Sequence, residues 1–428
     1  MNRTYQIEKQ RALQRFQRQA ETEKQPVQIV LPLAEIVAFA RQGIMKVLRE
    51  VGVELIQQVM NSEANALTKT SPGGNCIRWG QQRGYCILGG QKVGLEKPCV
   101  RSLEHGEIQL GSYHLFQKSS LLEETVWQRI MRGLSMRSYE EVMREFKDAY
   151  GIEKSTISGH FVVASRQRLQ RLRERPLQSL QLCAVLIDGQ WFSDQEIVVA
   201  LGIRCSGHKV ILGLRQGASE NATLIKQLLA DLQSRGLDFQ IPRLYILDGS
   251  KALQTAVKHY VGPAAIIQRC QQHKRENVVG HLTEEYKSYY RQKLLAAYSM
   301  SEYVDAKRGL QQLHRELMDL NPSAAHSLEE GLEDTLTIHR LRLPARLRQS
   351  LATTNAIESS FSIVEKICRN VKRWRGGDQF LRWVSSGLLF GETRWNRITG
   401  HRQIPLLLKE LELAVVKRQV PSRHAGVA

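Results

Sequence analysis

The chain has 428 residues, with 61 Lys and Arg against 42 Asp and Glu, a formal charge of +19. That length calls for roughly two to four domains. A hydrophobic fraction of 42% with 24% charged residues excludes a long disordered or fibrous chain. The charge surplus favours a polyanionic partner, because each phosphate contact releases condensed counterions; charge alone leaves a ribosome-associated or membrane-surface protein open. The 7 cysteines are odd in number and irregularly spaced, which excludes a disulfide framework and fits a reducing cytoplasm. The N-terminus lacks the apolar segment of a signal peptide, and no run is long enough to span a bilayer. These features place the expected protein in the cytoplasm.

In chain order, residues 1–70 read as an N-terminal helical region. From Leu33 to Leu67 apolar residues recur at helical spacing (Ile36, Val37, Ala40, Ile44, Val47, Leu48, Val51, Leu55, Val59), with Gly43 and Gly52 as candidate breaks between two helices. Residues 71–120 form a small Gly- and Cys-rich β region, in which stretches such as GYCILGG predict strands and tight turns. Cys76, Cys86, Cys99, His105 and His114 lie there; without a paired C-x-x-C they read as buried thiols rather than as a zinc site, which stays open.

Residues 121–176 read as helical and helix-turn-helix-like. Ser138 with Glu141 predicts a capping box, and the helix it starts is expected to end near Gly151. A basic second helix follows. In a helix-turn-helix, Thr156, Ser158 and His160 face the groove, while Arg166, Arg168, Arg171 and Arg173 meet phosphates. A plain packed helix pair with a solvated basic end is the alternative.

From Gln181 the pattern switches to strands. LCAVLIDGQWF, EIVVALGIRC and HKVILGLRQG are joined by short turns and predict an antiparallel meander. An amphipathic helix (NATLIKQLLADLQSRG, with Asn221 as cap), a buried run (PRLYILDGS), a helix and a short strand (AAIIQRC) follow. Three strands, helix, strand, helix, strand is the order of the ribonuclease-H-like fold. The expected class is therefore α/β within an α+β whole. Its core comprises residues 177–270 and 348–410, interrupted by an all-helical insertion over 271–347 and followed by a tail, 411–428.

Asp188 and Asp248 each close an apolar run, where a charge is costly unless it is paired or binds a cation. Neighbouring strand ends would set the two carboxylates side by side, a high-field site for Mg²⁺. Gly189 and Gly249, which follow them, permit close approach. Glu358 lies beside the apolar stripe Ile357, Phe361, Val364, Ile367 and Cys368, on the first turn of a helix capped from Thr353, Thr354 and Asn355. Cys270 and His273 stand one helical turn apart and face the same way; two such residues without a partner pair do not make a structural zinc site.

Together, the IDG around Asp188, the LDG around Asp248, the RCQQHKREN run and TTNAIES around Glu358 resemble the bacterial branch of Mutator-like transposases of insertion sequences, over roughly residues 120–400. The resemblance implies a DDE-type enzyme whose acid triad Asp188, Asp248 and Glu358 holds two divalent cations, Mg²⁺ or Mn²⁺, with Asp188 bridging both. It implies DNA strand cleavage and strand transfer at terminal inverted repeats, with no covalent protein intermediate, by a homodimer or higher oligomer on paired ends. Cys270, His273 and Asn355 are then positioning residues near the site. Arg269, Lys274 and Arg275 are candidate phosphate contacts. Lys372, Arg373 and Arg375, interleaved with Trp374, Trp383 and Trp395, are candidate DNA contacts, although Leu381, Val384, Leu388 and Leu389 mark Trp383 as partly buried. A nucleoid-associated cytoplasmic protein follows. The rival readings are a transposase-derived DNA-binding regulator, which would not require three acids, and a ribonuclease-H-like nuclease or resolvase, which would cleave without joining.

Overall fold

The computed structural model describes residues 3–22, 44–69, 75–144, 149–192, 195–217, 222–262, 265–369, 371, 373–374 and 378–419. The chain is mixed α/β with two sheets, and it divides into two compact units, residues 1–166 and 167–428.

The first unit holds α1 (Arg3–Thr22), α2 (Ile44–Lys69), β1 (Cys76–Leu88), β2 (Gln91–Ser102), β3 (Gly106–Ile108), α3 (Gly111–Phe116), α4 (Ser119–Met131), α5 (Tyr139–Met143) and the start of α6 (Lys154–Arg173). β1 and β2 form a long antiparallel hairpin, and β3 extends it. Its two-residue turn is Gly89 and Gly90, at φ +62° and +86°, a left-handed pair that only glycine adopts without strain and that matches the twist of the strands. α2 lays Ile56, Met60 and Ala64 against Cys86, Val93 and Val100 of the hairpin.

Three expectations change here. Gly52 lies inside α2 rather than breaking it; a Cβ there would come within 3.3 Å of Leu88, so the missing side chain admits the hairpin. Residues 33–43, the rest of the predicted helical run, lie outside the described residues. Ser138 makes no capping hydrogen bond: its backbone N–H donates to Ser135 Oγ, and α5 ends at Met143. The chain then leaves the helix, and Tyr150 pairs with Lys92 across an isolated β-bridge, so no helix runs up to Gly151. Cys76, Cys86, Cys99, His105 and His114 do not converge on a metal-holding group among the described residues.

The second unit is built on β4 (Leu182–Phe192), β5 (Gln195–Arg204), β6 (Lys209–Gly217), α7 (Ala222–Ser234), β7 (Leu244–Leu247), α8 (Lys251–Val261) and β8 (Ile266–Arg269). This is the element order read from the sequence; the expected cap Asn221 lies outside the described residues. The sheet order is β6-β5-β4-β7-β8, antiparallel from β6 to β4 and parallel from β4 to β8. One face packs Val185, Ile187, Val198 and Leu247 against Leu228 and Leu232 of α7 and Leu253 and Val257 of α8.

Between β8 and the last core helices the chain is helical: α9 (Gln271–Gly280), α10 (Glu284–Ser299), α11 (Tyr303–Leu320), α12 (Pro322–Glu329), α13 (Leu332–Thr335), α14 (Thr337–Arg340) and α15 (Ala345–Leu351). This segment carries its own core around Leu294, Leu310, Leu317, Leu328 and Leu336. α16 (Asn355–Cys368) then packs on β4 and α17 (Gln379–Glu392) on β6, and α18 (Ile404–Gln419) ends the described chain. Trp383 is buried in α17, as its apolar neighbours require. Among the described residues no helix is long and apolar enough to cross a membrane.

Candidate active site

β4 is apolar and buried from Leu182 to Ile187, and the next residue, Asp188, is only 1% exposed. β7 runs parallel to it and their pairing stops at Ile187 opposite Leu247, so Asp188, still within β4 and opposite Val199 of β5, lies beside Asp248, which follows the end of β7. Asp248 is half-buried, and its Oδ1 accepts the Ser250 N–H at 2.7 Å; Ser250 in turn caps α8. Gly249 between them sits at φ +110°, and a Cβ there would come within 2.1 Å of Arg269 Nε. Gly189 pairs with Val198 in the ladder.

The third strand end delivers Cys270, whose N–H donates to Leu247 O at 2.7 Å and which starts α9. His273 follows one turn on. α16 meets this turn at its own N-terminus. Thr354 donates to Cys270 Sγ from its backbone N–H (3.4 Å) and from its hydroxyl (3.5 Å), and its Oγ1 lies 3.4 Å from His273 Nδ1. Gln271 N–H donates to Ala352 O at 2.9 Å. Two helix starts are thereby stitched together, and Glu358, on the first turn of α16, is held near Asp188 of β4.

Ligand atoms of Asp188, His273 and Glu358 lie within 4.8 Å of one another. Asp188 Oδ2 accepts from Gln190 Nε2 and Glu358 Oε2 from Gln272 Nε2, each at 3.1 Å. Glu358 Oε1 is buried without a hydrogen-bond partner, 3.7 Å from His273 Nε2. Burial pushes the Asp188 carboxyl up to about 7; Asp248 and Glu358 add to the rise, while His273 and Thr354 oppose it. The hydrogen bond to Cys270 raises the His273 imidazole to about 9, helped by Asp188 and Glu358. Burial drives the Cys270 thiol upward, and His273 more than reverses this, leaving it below its ordinary value. Two carboxylates at this spacing can hold a divalent cation, with the His273 imidazole as a third ligand once the ion displaces its proton, and the Glu358 oxygen without a hydrogen bond fits such a ligand.

Asp188 and Glu358 are therefore brought together as the sequence suggested, with His273 in the third place. Asp248 stands at the adjacent strand end, where its charge raises Asp188, and is not one of the three converging groups. Asn355 is exposed on the first turn of α16. Thr354, Gln190 and Gln272 were not singled out as site residues from the sequence. Thr354 carried only a capping signal, and the two glutamines carried none.

The candidate DNA contacts divide. Arg269 is 4% exposed and donates to Glu330 O at 2.8 Å, with Glu330 Oε2 3.4 Å away. Lys274 is fully buried and donates to the carbonyls of Ser327 and Glu330. Both cations hold the C-terminal end of α12 and face inward, so a phosphate cannot reach them; this corrects their reading as DNA contacts. Arg275 remains half-buried, Thr156 and Ser158 are half-buried on α6, and Arg166 and Arg373 are exposed. Lys372 and Arg375 lie outside the described residues.

The family described as "Transposase, Mutator family" matches residues 27–382. The transposase for insertion sequence element ISRM5 of Rhizobium meliloti is 25% identical over 373 residues, 83% of this chain and 90% of that protein. The transposase for IST2 of Acidithiobacillus ferrooxidans is 28% identical over 199 residues, 46% of this chain and 66% of that protein. The transposase for IS6120 of Mycolicibacterium smegmatis is 27% identical over 241 residues, 55% of this chain and 73% of that protein.

Proposed function

We infer that this chain, which belongs to the Mutator family of transposases, moves an insertion sequence by cutting DNA at the element's ends and joining those ends to target DNA. The observation that carries the reading is the convergence of Glu358 on Asp188 in the buried strand β4, with a Glu358 oxygen left without a hydrogen-bond partner. The sheet order, three antiparallel strands followed by two parallel ones, supports a ribonuclease-H-like core. In that reading α9 to α15 are a helical insertion between β8 and α16. The domain boundaries expected from the sequence belong to the same proposal, with α18 running on past residue 410.

Asp188 and Glu358, with His273 or Asp248 completing the set, are the residues that would hold Mg²⁺ or Mn²⁺. Two such ions supply activation of water or a 3′-hydroxyl and stabilisation of the leaving oxygen in an in-line displacement. The chain's own residues do the rest. Gln190 and Gln272 orient one oxygen of each carboxylate. Thr354 locks the Cys270–His273 turn to the start of α16, which fixes the carboxylate spacing. Duplex DNA at the element ends and at the target is the substrate, with Thr156, Ser158, Arg166, Arg275 and Arg373 as the described contacts, and pairing of two ends calls for at least a dimer.

The test is strand transfer of a labelled duplex element end into plasmid DNA with Mg²⁺. Wild type should cut and join. Asp188→Ala, Asp248→Ala and Glu358→Ala should bind DNA and do neither. Full activity in any one variant removes that residue from the catalytic set; a wild type that binds and never cuts is a regulator instead.

A further inference from the structure

A cavity of about 430 Å³ opens beside the carboxylates, between α9, α10, α15 and the start of α16. It falls within the ~300–1,000 Å³ range of pockets that enclose small ligands. None of its lining residues is acidic, and two are arginines, Arg275 and Arg348. Arg348 is 8% exposed, and no carboxylate among the described residues pairs with it; its Nη1 donates to the carbonyls of Met300 and Ser301. Arg275 lines the cavity with its Nε buried and 3.6 Å from Glu276 Oε1. A lining with two arginines and no acidic residue is cationic, which favours an entering anion. The lining also carries the apolar residues Leu295, Ile338 and Ala345. Arginines for a phosphate and apolar residues for a base in one cavity suit a single nucleotide.

The cavity is also joined to the carboxylates. Gln272 lines it and donates to Glu358 Oε2, and Asn355 lines it from the same helical turn as Glu358. We propose that this cavity receives one nucleotide of the DNA strand being processed, its phosphate on Arg275 and Arg348 and its base against Leu295, Ile338 and Ala345. This deepens the transposase reading and rests on it. Arg275 then acts within the cavity rather than along the outer face of the duplex, and the site selects a strand end or an unstacked nucleotide over a paired one.

The test uses the full chain and a 5′-phosphorylated tetrathymidylate, a probe that needs no knowledge of the element's ends. Wild type should bind it, with thymidine monophosphate competing and inorganic phosphate competing at least tenfold less well. Arg275→Gln removes a charge, and Ala345→Trp fills the cavity from an exposed position; each should weaken binding about tenfold or more while circular dichroism stays that of wild type. Equal binding by both variants overturns the proposal. So does equal competition by phosphate and by thymidine monophosphate, which would leave an anion site without a base pocket. Asp188→Asn separates the two readings: it should keep probe affinity and lose metal-dependent DNA cutting. If it still cuts, the acid assignment fails, and the binding arms decide the cavity on their own.

Discussion

Thr354 reaches Cys270 Sγ twice, through its backbone N–H at 3.4 Å and through its hydroxyl at 3.5 Å. The pair joins residues far apart in the chain and sets the first turn of α16 against the first turn of α9. The hydroxyl is the part a substitution can remove. Thr354→Val keeps the shape and leaves Cys270 Sγ and His273 Nδ1 without it, at a cost of about 0.5–1.5 kcal/mol in stability. Strand cleavage should fall much further than stability, because Glu358 loses its register over Asp188. Thr354→Ser should restore most of it. Thermal unfolding and cleavage rates on the three proteins check this; a Val variant with wild-type cleavage removes the positioning role.

Asp188 carries the pH prediction. Its carboxyl is raised from 3.8 to about 7 by burial first, so the folded site favours the proton more than the unfolded chain does. The ionised form therefore costs stability in the metal-free protein, and stability falls as pH rises between about 4 and 7. Asp188→Asn removes that cost. In chelator at pH 8 it should unfold later than wild type, by at most ~4 kcal/mol at about 1.4 kcal/mol per pKa unit, and the difference should vanish near pH 4. A divalent ion must displace the same proton, so apparent Mn²⁺ affinity should drop as pH falls below about 7. Calorimetric titration across pH 6–8 that shows a flat affinity would contradict this.

Much of this was legible in the chain, and the parts that were not have physical reasons. LCAVLID and LYILD announce buried strands with an acid at the end of each apolar run, and the adjacency of the two acids followed from element order, although β4 itself continues past Asp188 to Phe192. The convergence of His273 was half legible: one-turn spacing says that Cys270 and His273 share a face, but the partner on that face, Thr354, comes from a distant segment. Arg269 and Lys274 misled for the converse reason. A basic run reads as surface, and the acceptors that bury it, the carbonyls of Ser327 and Glu330, belong to the C-terminal end of α12, more than fifty residues away. α5 stops early because Tyr150 finds Lys92 on β2, which no local propensity foretells.

Lys274 follows from that correction. Its ammonium is pushed down to about 8 by burial, with Arg269 adding to the effect. A lysine with a depressed folded value is held charged at a cost below it, so its contribution to stability improves as pH rises from about 8 to 10.5. Lys274→Met leaves two backbone carbonyls without their donor, a loss of about 1–3 kcal/mol, and abolishes that pH response. Because Lys274 faces inward, the salt dependence of DNA binding should be unchanged in the variant. Arg275→Gln, by contrast, should reduce the slope by about one counterion. A reduced slope for Lys274→Met would return it to the DNA surface.

Gly249 is the most demanding backbone position of the site. At φ +110° any side chain is strained, and a Cβ would stand 2.1 Å from Arg269 Nε. Gly249→Ala must therefore move either the Asp248 turn or the arginine that anchors the loop at Glu330. The first breaks the Ser250 N–H to Asp248 Oδ1 bond; the second frees a buried guanidinium. Either route costs roughly 1–3 kcal/mol. Gly189→Ala, on extended strand opposite Val198, should cost less than about 1 kcal/mol by comparison. Measured together by denaturant unfolding, the two substitutions separate backbone demand at the second acid from the mere presence of a glycine after an aspartate, and equal losses would refute the distinction.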